Sequence, residues 1–228
     1  MKSSFFPAAV MFIVASIFSS ATAWAGFSTN LTRVIYNENE KNAAISVNSS
    51  KDSNYFLVQS WVETQAGERA EFLVTPPITK LAPGTQNTLN IKYLGEPLPA
   101  DRESLFYLNI KAIPAKNTAI DNQVVIANKS ILKLIYRPKG LRFDNAVNSP
   151  QQLKFERENG HLVITNPTAF YINFSVFSIN GKRVNELSFI APQGRYEVAA
   201  PSGNTPVEVR FSTINDFGGQ SSETRLVL

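Results

Sequence analysis

The stretch ILKLIYRPKG, residues 131–140, contains a β-strand and the place where it stops. Side chains alternate between the two faces of a strand, so Leu132, Leu134 and Tyr136 point one way and Ile131, Lys133, Ile135 and Arg137 the other. The first face is an ordinary sheet core. The second alternates apolar and basic, with Lys133 and Arg137 about 13 Å apart at strand rise. Pro138 and Gly140 then end the run.

Outward from this break the chain reads as β throughout. Short β-branched and aromatic runs are separated by Asn, Asp, Gly, Pro and Ser. Upstream, strands are expected over 31–36, 43–47, 55–63, 72–74, 88–93, 104–113 and 124–137. Downstream they are expected over 152–157, 162–166, 171–179, 186–190, 196–200, 207–215 and 224–228. Asn159-Gly160 between FERE and HLVIT is a two-residue hairpin signal. No 3.6-residue apolar stripe stands out, so helix should be scarce. About seven strands make one immunoglobulin-like sandwich. Two such sandwiches are therefore expected in tandem, residues 26–140 and 144–228, with one large sandwich as the fallback.

The first 25 residues have a different purpose. Lys2 precedes a mostly apolar run, residues 5–18, shorter than the ~20 residues a membrane span needs. Ala23-Trp24-Ala25 supplies small residues around a cleavage point, so residues 1–25 read as a signal peptide, with cleavage after Ala23 as the alternative. The chain has no cysteine, which removes disulfides, thiol catalysis and thiolate metal sites. Its net charge is +4. Charges of both signs are interspersed without a basic, aromatic-laced run, so nucleic acid is not an expected partner.

Two cations sit awkwardly in apolar strands. Lys133 lies between Leu132 and Leu134, and Arg33 lies within NLTRVIYN. A lysine rarely goes inside unless something pairs with it. Periodicity alone slightly favours a lysine that snorkels to water, and spacing alone leaves open that Arg33 is a surface arginine on an edge strand. The run 124–137 is longer than a usual strand of about five or six residues. It opens with Val124, Val125, Ile126 and Ala127. An apolar strand edge of this kind is normally blunted, so either a loop covers it or another chain pairs with it.

Seven segments in order resemble the PapD-like family of periplasmic chaperones of the chaperone–usher pilus pathway: TRVIY (32–36), SWVE (60–63), TPPITKLAPG (75–84), LPADRESLFYLNIKAIPA (98–115), ILKLIYRP (131–138), ITNPTAFY (164–171) and INDFGG (214–219). The resemblance implies an all-β chain of two immunoglobulin-like sandwiches in an L, with a cleft between them. It implies that Arg33 and Lys133 bind the C-terminal carboxylate of a pilus subunit. A carboxylate 4 Å from a cation feels roughly 4 kcal/mol of attraction at an effective dielectric of 20, before desolvation. It implies that Glu103, Arg137 and Asp216 form an ion network between the domains. It also implies that the strand before Lys133 completes the subunit's open sheet by β-augmentation.

Counting back from Lys133, the donor positions that the resemblance implies fall on Val124, Ile126 and Asn128. Asn128 departs from the apolar residue usual there, leaving a weakly filled third pocket or a bulge that shifts the register onto Val125 and Ala127. The short segment between Pro114 and Val124 resembles the short-loop subgroup that serves rod-forming pili. The implied partners are pilus subunits and an outer-membrane usher, with a second copy of the chain as a further candidate for the exposed strand in the free protein. The implied location is the periplasm.

An enzyme is the first rival reading. His161 is the only histidine and flanks a turn, and no nucleophile–base pair, phosphate loop or carboxylate cluster can be assembled from the sequence. No catalytic residue, metal or cofactor is expected. The second rival is a secreted immunoglobulin-like pilus component. Such subunits usually have one domain with a cysteine pair, unlike this chain.

Overall fold

The computed structural model describes residues 26–116, 124–200 and 205–228. The expected signal peptide, and residues 117–123 of the expected short loop, lie outside these residues. Among the described residues, no helix is long and apolar enough to cross a membrane.

The first sandwich contains β1 (Phe27–Thr29), β2 (Arg33–Asn37), β3 (Ala43–Ser49), β4 (Phe56–Glu63), β5 (Phe72–Thr75), β6 (Ile78–Leu81), β7 (Gln86–Tyr93), β8 (Ser104–Pro114) and β9 (Asn128–Arg137). One sheet has the order β1-β3-β7-β5 and the other β2-β9-β8-β4-β6. Period-two alternation explains the strands directly. In β4, Phe56, Val58, Ser60 and Val62 are buried, and the residues between them are more exposed. Ile45, Val47, Leu89, Ile91, Leu108, Ile110 and Leu134 interdigitate between the sheets. Full burial of such a side chain contributes about 1.5–3 kcal/mol.

The second sandwich contains β10 (Lys154–Glu158), β11 (His161–Thr165), β12 (Ile172–Ile179), β13 (Lys182–Arg183), β14 (Phe189–Ile190), β15 (Arg195–Ala199), β16 (Glu208–Thr213) and β17 (Thr224–Val227). Its sheets run β10-β11-β15 and β13-β12-β16-β17, with β14 also paired to β12. Leu162, Ile164, Ile172, Phe177, Val207 and Val209 form a separate core. At Asn159-Gly160 both residues have positive φ, 48° and 78°. Glu158 stands opposite His161, as a two-residue hairpin turn requires.

Several elements differ from the sequence expectation, among them the short strands β1 and β13, which lie outside the expected ranges. A short helix, α1 (Phe143–Asn148), followed by a 3-10 turn, joins the sandwiches where only a hinge was expected. Strand β6 was not anticipated; only Leu81 of its four residues is buried. The long strand expected over 124–137 begins at Asn128 instead. Residues 124–127 have no ladder partner among the described residues, and Val124 and Ile126 are 83% and 73% exposed. β propensity without a neighbour to bond leaves these four outside the sheet.

Candidate functional site

Strands β2 and β9 run parallel, and their pairing begins with Arg33 opposite Lys133. The odd-numbered face of β9 turns toward the second domain. Ile135 and Arg137 are buried there, while Ile131, farther from the junction, is exposed. The two awkward cations of the sequence are thus neighbours in the cleft between the sandwiches.

Neither cation has an ion-pair partner among the described residues. Arg33 is 7% exposed; its Nη1 donates to Ile214 O at 3.4 Å, and its Nε has no acceptor. Burial lowers its affinity for its proton, and the more distant charge of Asp216 works the other way. Lys133 Nζ donates to Asn173 Oδ1 at 2.6 Å and lies 4.6 Å from the centre of the Phe189 ring. Burial, and then the like charge of Arg33, push the Lys133 ammonium down to about 8. Two desolvated cations side by side form an electropositive site suited to a carboxylate. A guanidinium and an ammonium together can bond to both carboxylate oxygens.

The third basic residue behaves differently. Arg137 Nε donates to Glu103 Oε1 at 2.8 Å, and Nη1 and Nη2 donate to Asp216 Oδ2 and Oδ1 at 2.8 and 3.1 Å. Burial opposes its charge, but these bonds to Asp216 and Glu103 outweigh it and leave the guanidinium above its usual value. Burial also pushes the Glu103 carboxyl up, to about 7, against the pull of Arg137 and of the Tyr171 N–H. Glu103 and Arg137 come from the first domain and Asp216 from the second, so this cluster joins the two.

Local chemistry on the second domain shapes the receiving side. In NPTAFY, Asn166 Nδ2 donates to Phe170 O and Ala191 O, while its Oδ1 accepts from Thr168 N and Oγ1. The turn so fixed presents Ala169 O and Tyr171 N, which bond Glu103 N and Oε2 at 2.9 and 2.7 Å. In INDFGG, Asn215 Oδ1 accepts from Phe217 N and Gly219 N, holding Asp216 toward Arg137. Gly218 has φ 84°, and a Cβ there would lie 2.6 Å from Thr32 Oγ1, so the loop's close approach to the first domain favours glycine.

The donor positions expected from the sequence, Val124, Ile126 and Asn128, fall on one parity. The β8–β9 ladder runs without a register shift from Tyr136 to Asn128, which is opposite Ala112. Asn128 therefore shares the sheet face of Leu132 and Leu134. Any bulge would have to lie upstream of it. Upstream of Lys133, β9 pairs with β8 on one edge only among the described residues; its other edge, which β2 occupies from Lys133 onward, is open.

Residues 26–142 match the family described as "Pili and flagellar-assembly chaperone, PapD N-terminal domain", and residues 148–225 match "Pili assembly chaperone PapD, C-terminal domain". The chain belongs to the PapD-like family of pilus-assembly chaperones. It is 38% identical over 223 residues to the probable fimbrial chaperone LpfB of Escherichia coli O157:H7, covering 96% of this chain and 94% of that one. It is 37% identical over 210 residues to the chaperone protein FocC of Escherichia coli, covering 90% and 92%. Among solved structures, Salmonella enterica SafA pilin in complex with the SafB chaperone matches with TM-score 0.76 and 30% identity, covering 91% of this chain and 99% of that one. The Escherichia coli chaperone DraB matches with TM-score 0.75 and 32% identity, covering 89% and 98%. Like these relatives, this PapD-like chain has two immunoglobulin-like domains.

One contributor to the site escaped the sequence reading. Asn173, between Ile172 and Phe174, is the residue that meets Lys133. Its signal was the one that singled out Lys133, a polar side chain inside an apolar strand.

Proposed function

We propose that this protein is a periplasmic chaperone that captures pilus subunits and delivers them to an outer-membrane usher. Arg33 and Lys133 anchor the subunit's C-terminal carboxylate. Val124, Ile126 and Asn128 supply the donor side chains, and Glu103, Arg137 and Asp216 set the angle between domains.

The observation that carries this reading is where the β2–β9 ladder starts. A foreign strand laid along the open edge of β9, parallel to it, would continue the line of β2 and end at Arg33 and Lys133. Its terminal carboxylate would meet two cations that lack a carboxylate of their own. Backbone bonds along the edge would give affinity, and alternate side chains would give specificity. The chaperone and pilin of the SafA–SafB structure show a relative in such company.

Co-expression with a candidate subunit in the periplasm, followed by size-exclusion chromatography, tests the proposal. A soluble one-to-one complex is expected. Self-polymerisation of this chain would instead indicate a structural pilus component.

A further inference from the structure

We propose that Asn173, on the second domain, is the positioning residue of the carboxylate anchor: it seats the Lys133 ammonium beside Arg33 so that an incoming carboxylate meets both cations. This inference rests on the anchor reading above. It assigns the second domain a part in binding, beyond its part in the ion network.

Two like charges at adjacent ladder positions repel, and lysine has a long flexible stem with which to escape. Something must hold Lys133 in place. Asn173 Oδ1 accepts from Nζ at 2.6 Å, and the Phe189 ring lies 4.6 Å from Nζ. Asn173 and Phe189 are themselves ladder partners between β12 and β14. The seat is thus one rigid cross-strand pair rather than a loop. Asn173 is 4% exposed, so its carboxamide is confined by packing.

The same residue reaches the second cation through the backbone. Ile214 N donates to Asn173 O at 2.8 Å, and Ile214 O accepts from Arg33 Nη1 at 3.4 Å. Two segments of the second domain, hydrogen-bonded to each other, therefore touch one cation each, Asn173 on β12 meeting Lys133 and Ile214 after β16 meeting Arg33. An ammonium has three N–H donors. One is spent on Asn173, and the others remain for the ligand.

The charged and titratable groups around Lys133 are few. Arg33 faces it from β2, and Tyr107 is its ladder partner on β8. β12 and β14 offer neutral Asn173 and Phe189. Asp216 acts on Arg33. A neutral acceptor favours the charged ammonium without competing for the site as a carboxylate would.

The test uses the full mature chain, carbon-13-labelled at lysine, with Asn173→Leu and Asn173→Asp variants. Nuclear magnetic resonance reads the Lys133 titration midpoint. Binding is read with a synthetic peptide of alternating apolar and polar residues ending in a free carboxylate, and with its C-terminal amide. In the leucine variant the midpoint should fall, and affinity for the acid peptide should weaken roughly three- to tenfold, the cost of ordering one long side chain. The Tm should be unchanged. In the aspartate variant the midpoint should rise while affinity still falls, because the new carboxylate occupies the ammonium. If the leucine variant has a lowered Tm, the opposite midpoint shift in the aspartate variant decides the question. A leucine variant that keeps both the wild-type midpoint and the wild-type affinity overturns the inference. Lys133→Ala separates the two levels: equal binding of acid and amide peptides to wild type and to Lys133→Ala would overturn the anchor reading itself.

Discussion

Arg33 and Lys133 are the first pair of the parallel β2–β9 ladder, two cations side by side at the point where an open sheet edge becomes a closed one. The arrangement costs folding free energy, because both side chains are desolvated and they repel each other. Replacing Lys133 by Met should therefore leave the free protein as stable as wild type or more so, since an apolar side chain of similar length removes the buried charge. Subunit capture should be lost, by at least ~2–5 kcal/mol, as when one side of a buried charge pair is removed. Thermal unfolding of the free protein and co-purification of a subunit check the two halves. Normal capture by Lys133→Met or by Arg33→Glu would contradict the anchor assignment.

The depressed Lys133 value gives a pH dependence with a definite sign. The folded protein releases this proton near pH 8, and the unfolded chain near 10.5. Between these values the unfolded state holds more protons, so this group makes stability rise with pH across that window. Binding runs the other way. A carboxylate favours the charged ammonium, so affinity for a C-terminal acid should be flat below about pH 8 and weaken above it, by up to tenfold per pH unit for one linked proton. Calorimetry in buffers of different ionisation enthalpy should detect proton uptake on binding at pH 9 and little at pH 7.

The proposed donor residues should separate function from folding. Ile126 is 73% exposed and outside any ladder. Ile126→Asp should change stability by no more than ~0.5 kcal/mol, as exposed substitutions usually do, yet it should abolish subunit capture. Asn128→Val should lengthen the lifetime of the complex by giving the third donor position an apolar side chain. Subunit dissociation rates from the two variants check both outcomes.

The ion network predicts an order of damage. Arg137→Ala strands Glu103, which is almost wholly buried, and removing one partner of a buried pair costs roughly 3–5 kcal/mol. Asp216 is more exposed, at 21% for its side chain. Asp216→Ala should be milder in thermal unfolding but should alter the small-angle scattering profile as the domains loosen. Equal Tm values for the two variants, or an unchanged profile for Asp216→Ala, would argue against this division of labour.

Much of this architecture was legible in the residues. Alternation along β4 and the Asn159-Gly160 turn are local signals, and local signals survive folding. The helix α1 left no such mark: it buries none of its residues and has no side-chain cap, so no apolar stripe or capping pattern announced it. The run 124–127 differs from expectation for the opposite reason: its residues favour a strand, but the described residues offer them no ladder neighbour. At the site, Lys133 and Arg33 could be suspected one at a time as cations in apolar strands. Periodicity could not bring them together, because their adjacency depends on a parallel pairing between distant parts of the chain; only the family resemblance implied it. The roles of Asn173 and the Ile214 carbonyl depend on the docking of a second domain, which no spacing in either segment encodes.

The unshifted β8–β9 register has one more consequence. Lys133 and Ile126 belong to the same piece of chain, separated by about 23 Å at strand rise if the extended path continues. On the proposed roles, an anchor fixed to the donor would make the molecule a ruler. A client whose final strand is one residue too long or too short would present the wrong side chains along its entire length, since a single-residue slip in a strand exchanges its two faces. The chaperone would then select its clients by the length of their last strand as well as by its chemistry.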